Sequence, residues 1–173
     1  MSLSNEALWR QYGAAIDELK LVIEDCPDEL WEEMLWADHP DQWMAKGFSK
    51  FWYISYHAIF WLDIHLFGSE EGFAPPAPYP LVEMQPHETL PPTLAKDAVL
   101  DYLALCRQKC KDTVLNLTPE QAARICSFPW GEPTYGELQL YNLRHLQEHA
   151  AQLKLFLGQR TGYQSQYVTR AEL

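Results

Sequence analysis

The sequence predicts an all-α fold, a four-helix bundle with a long crossover loop between helices 2 and 3. Three observations point there. Four long stretches place apolar residues at the three- and four-residue spacing of a helix. A proline-crowded segment separates the second stretch from the third. No segment alternates polar and apolar residues with the period of two that a half-buried strand needs.

The first pattern covers about residues 5–36, with Leu8, Tyr12, Ala15, Leu19, Val22 and Ile23 on one face. Pro27 interrupts it, because proline has no amide hydrogen and its ring clashes with the preceding turn. A second helical piece is expected from Asp28 to Trp36, with Pro27 near its first turn. Ala37-Asp38-His39-Pro40-Asp41 then reads as a turn. The second helix is expected over about Met44 to Phe67. Its aromatics, among them Phe48, Phe51, Trp52, Tyr53, Tyr56, Phe60 and Trp61, occupy several faces, which places it in the middle of the domain. Gly68 is its expected stop.

From Ser69 to Pro92 the pattern is irregular. Seven of the twelve prolines stand at 75, 76, 78, 80, 86, 91 and 92, and proline blocks both helix continuation and sheet ladders. The stretch reads as a crossover from one end of the bundle to the other, or as a loop that covers a site. The third helix follows over about Leu94 to Leu117, with a stripe of Val99, Tyr102, Leu103, Cys106, Cys110, Val114 and Leu117. Thr118 and Pro119 form an N-cap and a first helical proline, opening a short helix to about Cys126. Residues Phe128 to Pro133 turn the chain. Thr134 and Glu137 have the spacing of a capping box and open the fourth long helix, which is expected to run to Leu157 and stop near Gly158. Residues 1–158 thus form one bundle domain. Residues 159–173 form a polar C-terminal tail, either loose or docked on a neighbour.

The chain has 173 residues, enough for one core without help from metal or disulfides. Its 13 Lys and Arg against 24 Asp and Glu give a net charge of −11. That balance argues against nucleic acid, which needs clustered cations, and against an anionic membrane surface. It fits a cytoplasmic protein dispersed by self-repulsion. Residues Met1 to Tyr12 lack the apolar stretch of a signal peptide. The most apolar run, Phe51 to Leu62, is short of the ~20 residues of a membrane span. The four cysteines, Cys26, Cys106, Cys110 and Cys126, contain no C-x-x-C pair and are expected to be reduced core residues.

Chemistry concentrates in the histidines. His145 and His149 stand four residues apart on the fourth long helix, which puts both rings on one face, one turn apart. Leu138, Tyr141, Gln152 and Phe156 share that largely apolar face. Two neutral imidazoles side by side inside a bundle need a partner, and a metal ion at ~2.0–2.1 Å from each nitrogen supplies one. A hydrogen-bonded core pair is the plainer alternative at this point. A third ligand has to come from another helix. His57 and His65 both lie on the second helix, about 12 Å apart at ~1.5 Å per residue, so one ion cannot take both. His57 sits mid-helix, where burial is expected to be deepest, and is the better ligand. His65 sits in the last turn, where solvent is near and a cation suits the helix dipole. His39 and His87 fall in proline-flanked loops and read as surface residues, His87 being a weak candidate for a loop that closes over the site.

These stretches resemble a known family. Tyr56-His57-Ala58 with Trp61-Leu62-Asp63, the long third helix, and the last-helix run from Asn142 to Leu153 look like the DinB-like superfamily of metalloenzymes, over about residues 5–158. The resemblance implies an up-down four-helix bundle that commonly forms a homodimer and holds a divalent metal on three histidines. By position these are His57, His145 and His149. Many members follow the last ligand with Arg-Gly-Gln, whereas this chain has Ala150-Ala151-Gln152. Substrate specificity therefore does not carry over.

Three neutral ligands suit Zn, Ni or Fe and leave the ion's charge free to activate a bound thiol or water. The resembled family includes thiol-dependent transferases and isomerases. The leading expectation is thus a metal-dependent enzyme of S-transferase type that joins a small-molecule thiol to an electrophile. Tyr53 and Tyr141, each one turn before a ligand, are weak candidates to donate a hydrogen bond to a bound anion, though core packing explains both. Glu148 points about 100° away from His149 and reads as a solvated or supporting carboxylate. Two alternatives stand beside this expectation. One is a non-catalytic dimeric binding or stress protein with a vestigial metal site. The other is a metal-dependent hydrolase.

Overall fold

The computed structural model describes residues 4–39, 45–81 and 90–173. Within them the chain is all-helical, with helices α1 (Asn5–Glu24), α2 (Phe51–Phe67), α3 (Lys96–Leu115), α4 (Pro119–Ala123) and α5 (Tyr135–Thr161) and no extended strand. The expected fourth long helix is α5. The long helices pack as a closed cycle: α1 lies against α3 and α5, and α2 lies against the same two. One core fills the space between them.

Local chemistry explains most boundaries. Ser4 caps α1 by accepting from the Ala7 amide. The expected α1 face, Leu8, Tyr12, Ala15, Leu19, Val22 and Ile23, is buried. Helix α2 is apolar all round and buried along nearly its whole length, and Gly68 ends it in the left-handed conformation, φ +87°. The expected α3 stripe is buried from Val99 to Val114. Thr118 and Gln121 close a capping box at α4, and Thr134 accepts from the Glu137 amide at α5. All four cysteines are free and buried.

Three expectations are corrected. Residues 28–36 do not form a helix. A single turn, Asp28–Leu30, is followed by backbone that runs beside residues 49–52, with a bridge between Met34 and Lys50. The reason lies in α2, whose first amides have no partner inside the helix. Phe51 N–H donates to Glu33 O at 2.9 Å and Trp52 N–H to Trp31 O at 3.0 Å. Those carbonyls are therefore needed by α2. Second, α2 begins at Phe51. Residues 45–50 form a tight turn in which Gly47 adopts φ +76° and its amide donates to the Asp38 carboxylate at 3.0 Å; Met44 lies outside the described residues. Third, α5 runs past Gly158 to Thr161 and stops where Gly162 takes φ +74°. The proline-rich segment is irregular over residues 69–81 and 90–92, and His87 lies outside the described residues. No helix among the described residues is long and apolar enough to cross a membrane.

The tail docks on its own chain. It runs back along α1: Val168 N–H donates to Glu18 Oε1 at 3.0 Å, Ala171 N–H to Arg10 O at 2.9 Å, and Trp9 Nε1–H to Glu172 O at 2.8 Å. Gly13 makes this approach feasible. A Cβ there would stand 2.5 Å from Ala171 Cβ, closer than any van der Waals contact. Gly13→Ala is therefore expected to free the tail, although alanine favours helix by about 1 kcal/mol. Limited proteolysis is expected to cut within residues 163–173 of the variant sooner than in the wild type, with helical circular dichroism unchanged. Equal protection in both proteins would show that the tail does not depend on Gly13.

Candidate metal centre

Helices α2 and α5 pack against each other, and His57 meets His145 and His149 across that contact. Ring centroids lie 5.3 Å apart for His57 and His145, 4.8 Å for His57 and His149, and 4.5 Å for His145 and His149. Each ring offers one nitrogen, and the three lie within 4.8 Å of one another. An ion bound at ~2.1 Å to each of two nitrogens in tetrahedral geometry holds them about 3.4 Å apart. His145 Nε2 and His149 Nε2 stand 3.0 Å apart, close to that value. All three histidines are half-buried, so the cluster opens to one side instead of being sealed in the core.

The hydrogen bonds of α5 fix the rings. Gln152 Oε1 lies 2.9 Å from His149 Nδ1. An amide oxygen only accepts, so that nitrogen carries the proton and His149 Nε2 has a lone pair. This Nε2 faces His145 Nε2 at 3.0 Å. If His145 Nε2 were protonated, it would donate across this gap and leave the lone pair of Nδ1 buried. If it were not, two lone pairs would oppose each other and Nδ1–H would be buried instead. Nδ1 of His145 has no partner in either case. A cation between the Nε2 atoms removes the opposition of lone pairs, and the residues present fit one. Burial, followed by the neighbouring His149, His57 and His65, pushes the pKa of His145 down to about 2. The ring is neutral at any ordinary pH, which is the form a metal needs.

Burial at the two α2 histidines is the reverse of the sequence expectation. His57 is half-buried at the mouth, whereas His65 is only 1% exposed. His65 does not meet solvent at the end of α2, because Phe128 and Tyr141 close over it with ring centroids 5.4 and 5.3 Å away. Burial pushes its pKa down to about 4, against a raising contribution from Asn142, so it is neutral and does not serve the helix dipole as a cation. The sequence carried a faint signal of this surrounding: Asn142 and Gln139 are polar residues on the buried side of α5, and both bond to α2.

Tyr141 lies beside the cluster. Its ring is 6.4 Å from that of His145 and nearly parallel to it, and Trp130 stacks on it at 4.7 Å. Trp61 flanks His57 at 6.2 Å. Tyr53 is fully buried, with its ring against Trp52 and Tyr56. Glu148 and His39 are exposed. Burial raises the pKa of all four cysteine thiols, so none is held as a thiolate nucleophile.

Comparison with known proteins identifies the family. No curated protein matches the chain. The family model of the DinB superfamily matches residues 7–153, a span that contains all three clustered histidines. The chain belongs to the DinB superfamily.

Proposed function

We propose that this chain is a metal-dependent enzyme in which His57, His145 and His149 hold one divalent ion, Zn, Ni or Fe. The observation that carries this reading is the convergence of three half-buried imidazoles whose nitrogens lie within 4.8 Å of one another. Three protein ligands with an open side is the pattern of catalytic sites, not of closed structural ones. When bound, such an ion keeps its full charge and draws the pKa of a coordinated thiol or water toward neutrality.

The chain's own residues set the remaining terms. Gln152 orients His149. Trp61 and Tyr141 flank the cluster with aromatic surface, and the Tyr141 hydroxyl is the better placed of the two tyrosines to donate to a bound anion. With its own thiols protonated in the core, the protein has to take any thiol from solution. We therefore favour transfer of a small-molecule thiol to an electrophile, in a homodimer of up-down four-helix bundles. The replacement of Arg-Gly by Ala150-Ala151 favours a second reading, a dimeric binding or stress protein with a vestigial site. A metal-dependent hydrolase is the third.

Elemental analysis of untagged protein tests the site first. About one Zn, Ni or Fe per chain is expected. No metal even after incubation with excess Zn and Ni would overturn the proposal. The loaded protein is then expected to consume glutathione in the presence of a model epoxide and to stop when the metal is chelated. Ester or amide cleavage without thiol would favour the hydrolase, and no reaction in either assay the binding protein. Gln152→Ala is expected to weaken zinc binding about 10–100-fold, the usual cost of losing a partner that orients a ligand. Competition against a chelator measures it, and an unchanged affinity would exclude that role.

A further inference from the structure

Two buried ring nitrogens beside the cluster have no hydrogen-bond partner, Nε2 of His65 and Nδ1 of His145. Their chemistry is complementary. Asn142 Nδ2 donates to Leu62 O at 3.1 Å, which leaves its Oδ1 turned toward His65 Nδ1, 3.3 Å away. That oxygen only accepts, so His65 carries its proton on Nδ1 and a lone pair on Nε2. On His145 it is Nε2 that faces His149 and would meet a shared ion. An imidazole that gives Nε2 to a cation keeps its proton on Nδ1. The loaded cluster therefore has a buried N–H on His145 and a buried lone pair on His65. The two rings are 6.3 Å apart between centroids, at 87° to each other. A hydrogen bond of ~2.9 Å between those atoms needs the two rings to stand closer than this.

We propose that His65 is a positioning residue of the metal centre: its Nε2 accepts the Nδ1–H hydrogen of His145. The relay runs from Leu62 O through Asn142 and His65 to His145. Asn142 sets the tautomer that makes His65 an acceptor, and His65 in turn fixes the ring of His145. The proposal rests on the three-histidine reading above. It explains why a histidine stands at a site walled by Trp61, Phe128 and Tyr141, where a phenylalanine would fill the space with no polar atom to satisfy.

Zinc-loaded wild-type protein with 15N-labelled histidine tests the bond directly. A slowly exchanging Nδ1–H signal from one imidazole, with a scalar coupling to a nitrogen of a second imidazole, is the expected result. Zinc bound at one per chain without that coupling would overturn the proposal. His65→Phe is expected to keep its helical circular dichroism and one zinc per chain while its affinity, measured by chelator competition, falls about 10–100-fold. His65→Gln, whose amide oxygen can accept, is expected to recover most of the loss. Unchanged affinity in His65→Phe would also overturn the proposal. Should that variant fail to fold, the wild-type coupling decides alone. Failure of the wild type to take zinc would overturn the three-histidine reading and this one with it, whereas normal zinc binding with no coupling removes only the role of His65.

Discussion

His145→Ala is expected to abolish stoichiometric metal binding while leaving the fold intact. The substitution removes one of three nitrogens that lie within 4.8 Å of one another, so its effect must exceed the ~10–100-fold loss expected of a supporting residue. What remains is one histidine from each helix, without the one-turn pair on α5 that aims two Nε2 atoms at a common point. His39→Ala, at an exposed loop position, is the control and is expected to bind as the wild type does. Metal content per chain after dialysis, with circular dichroism of each variant, makes the comparison. Equal metal in both variants would sink the ligand assignment. The apo wild type is expected to keep its helices, because the hydrophobic core forms without the ion and a chain of this size does not need one. Loss of helical signal on chelation would contradict that.

The largest stability effect is expected at Glu18. This carboxylate is 2% exposed and joins three parts of the chain. It accepts from Lys154 on α5, from Gln147 Nε2 at 3.1 Å and from the Val168 amide of the tail at 3.0 Å. Glu18→Gln keeps the shape and removes the charge, leaving the largely buried Lys154 ammonium without its counter-ion. Breaking a buried pair from one side costs about 3–5 kcal/mol, and in a protein of this size that lowers Tm by on the order of 10 °C. The double variant Glu18→Gln/Lys154→Met is expected to recover much of the loss, since the uncompensated charge is then gone.

The pH dependence of the same pair has a definite sign. Burial raises the pKa of Glu18, but the bonds from Lys154, Gln147 and Val168, with the Lys154 charge, outweigh it and hold the group below its ordinary value. Its stabilising contribution is therefore fully present above the unfolded carboxylate value of ~4.3 and is lost as pH falls through the lower folded value. The gap in stability between wild type and Glu18→Gln is expected to be constant near neutrality and to shrink in acid. Chemical denaturation at several pH values measures it. A gap that widens in acid would reverse the assignment.

What the sequence determined by itself was whatever depends on neighbours within a few residues. Helical spacing found the four long helices. Thr134 and Gly68 marked ends of two of them and Thr118 the start of the short α4, because a cap depends only on one residue and the backbone next to it. The spacing of four placed His145 and His149 on one face for the same reason. The choice of His57 over His65 came out of the resemblance and a burial argument, and the burial argument was reversed: His57 stands at the opening and His65 in the interior. Burial at the end of α2 is set by Phe128 and Tyr141, more than sixty residues away, and no local pattern encodes that. Residues 28–36 had the composition of a helix, yet their carbonyls serve the amides of α2. The polar tail gave no sign of its docking along α1, which depends on the missing Cβ of Gly13. Tertiary structure decided these points because each rests on backbone or buried polar groups that find partners only once distant segments have met.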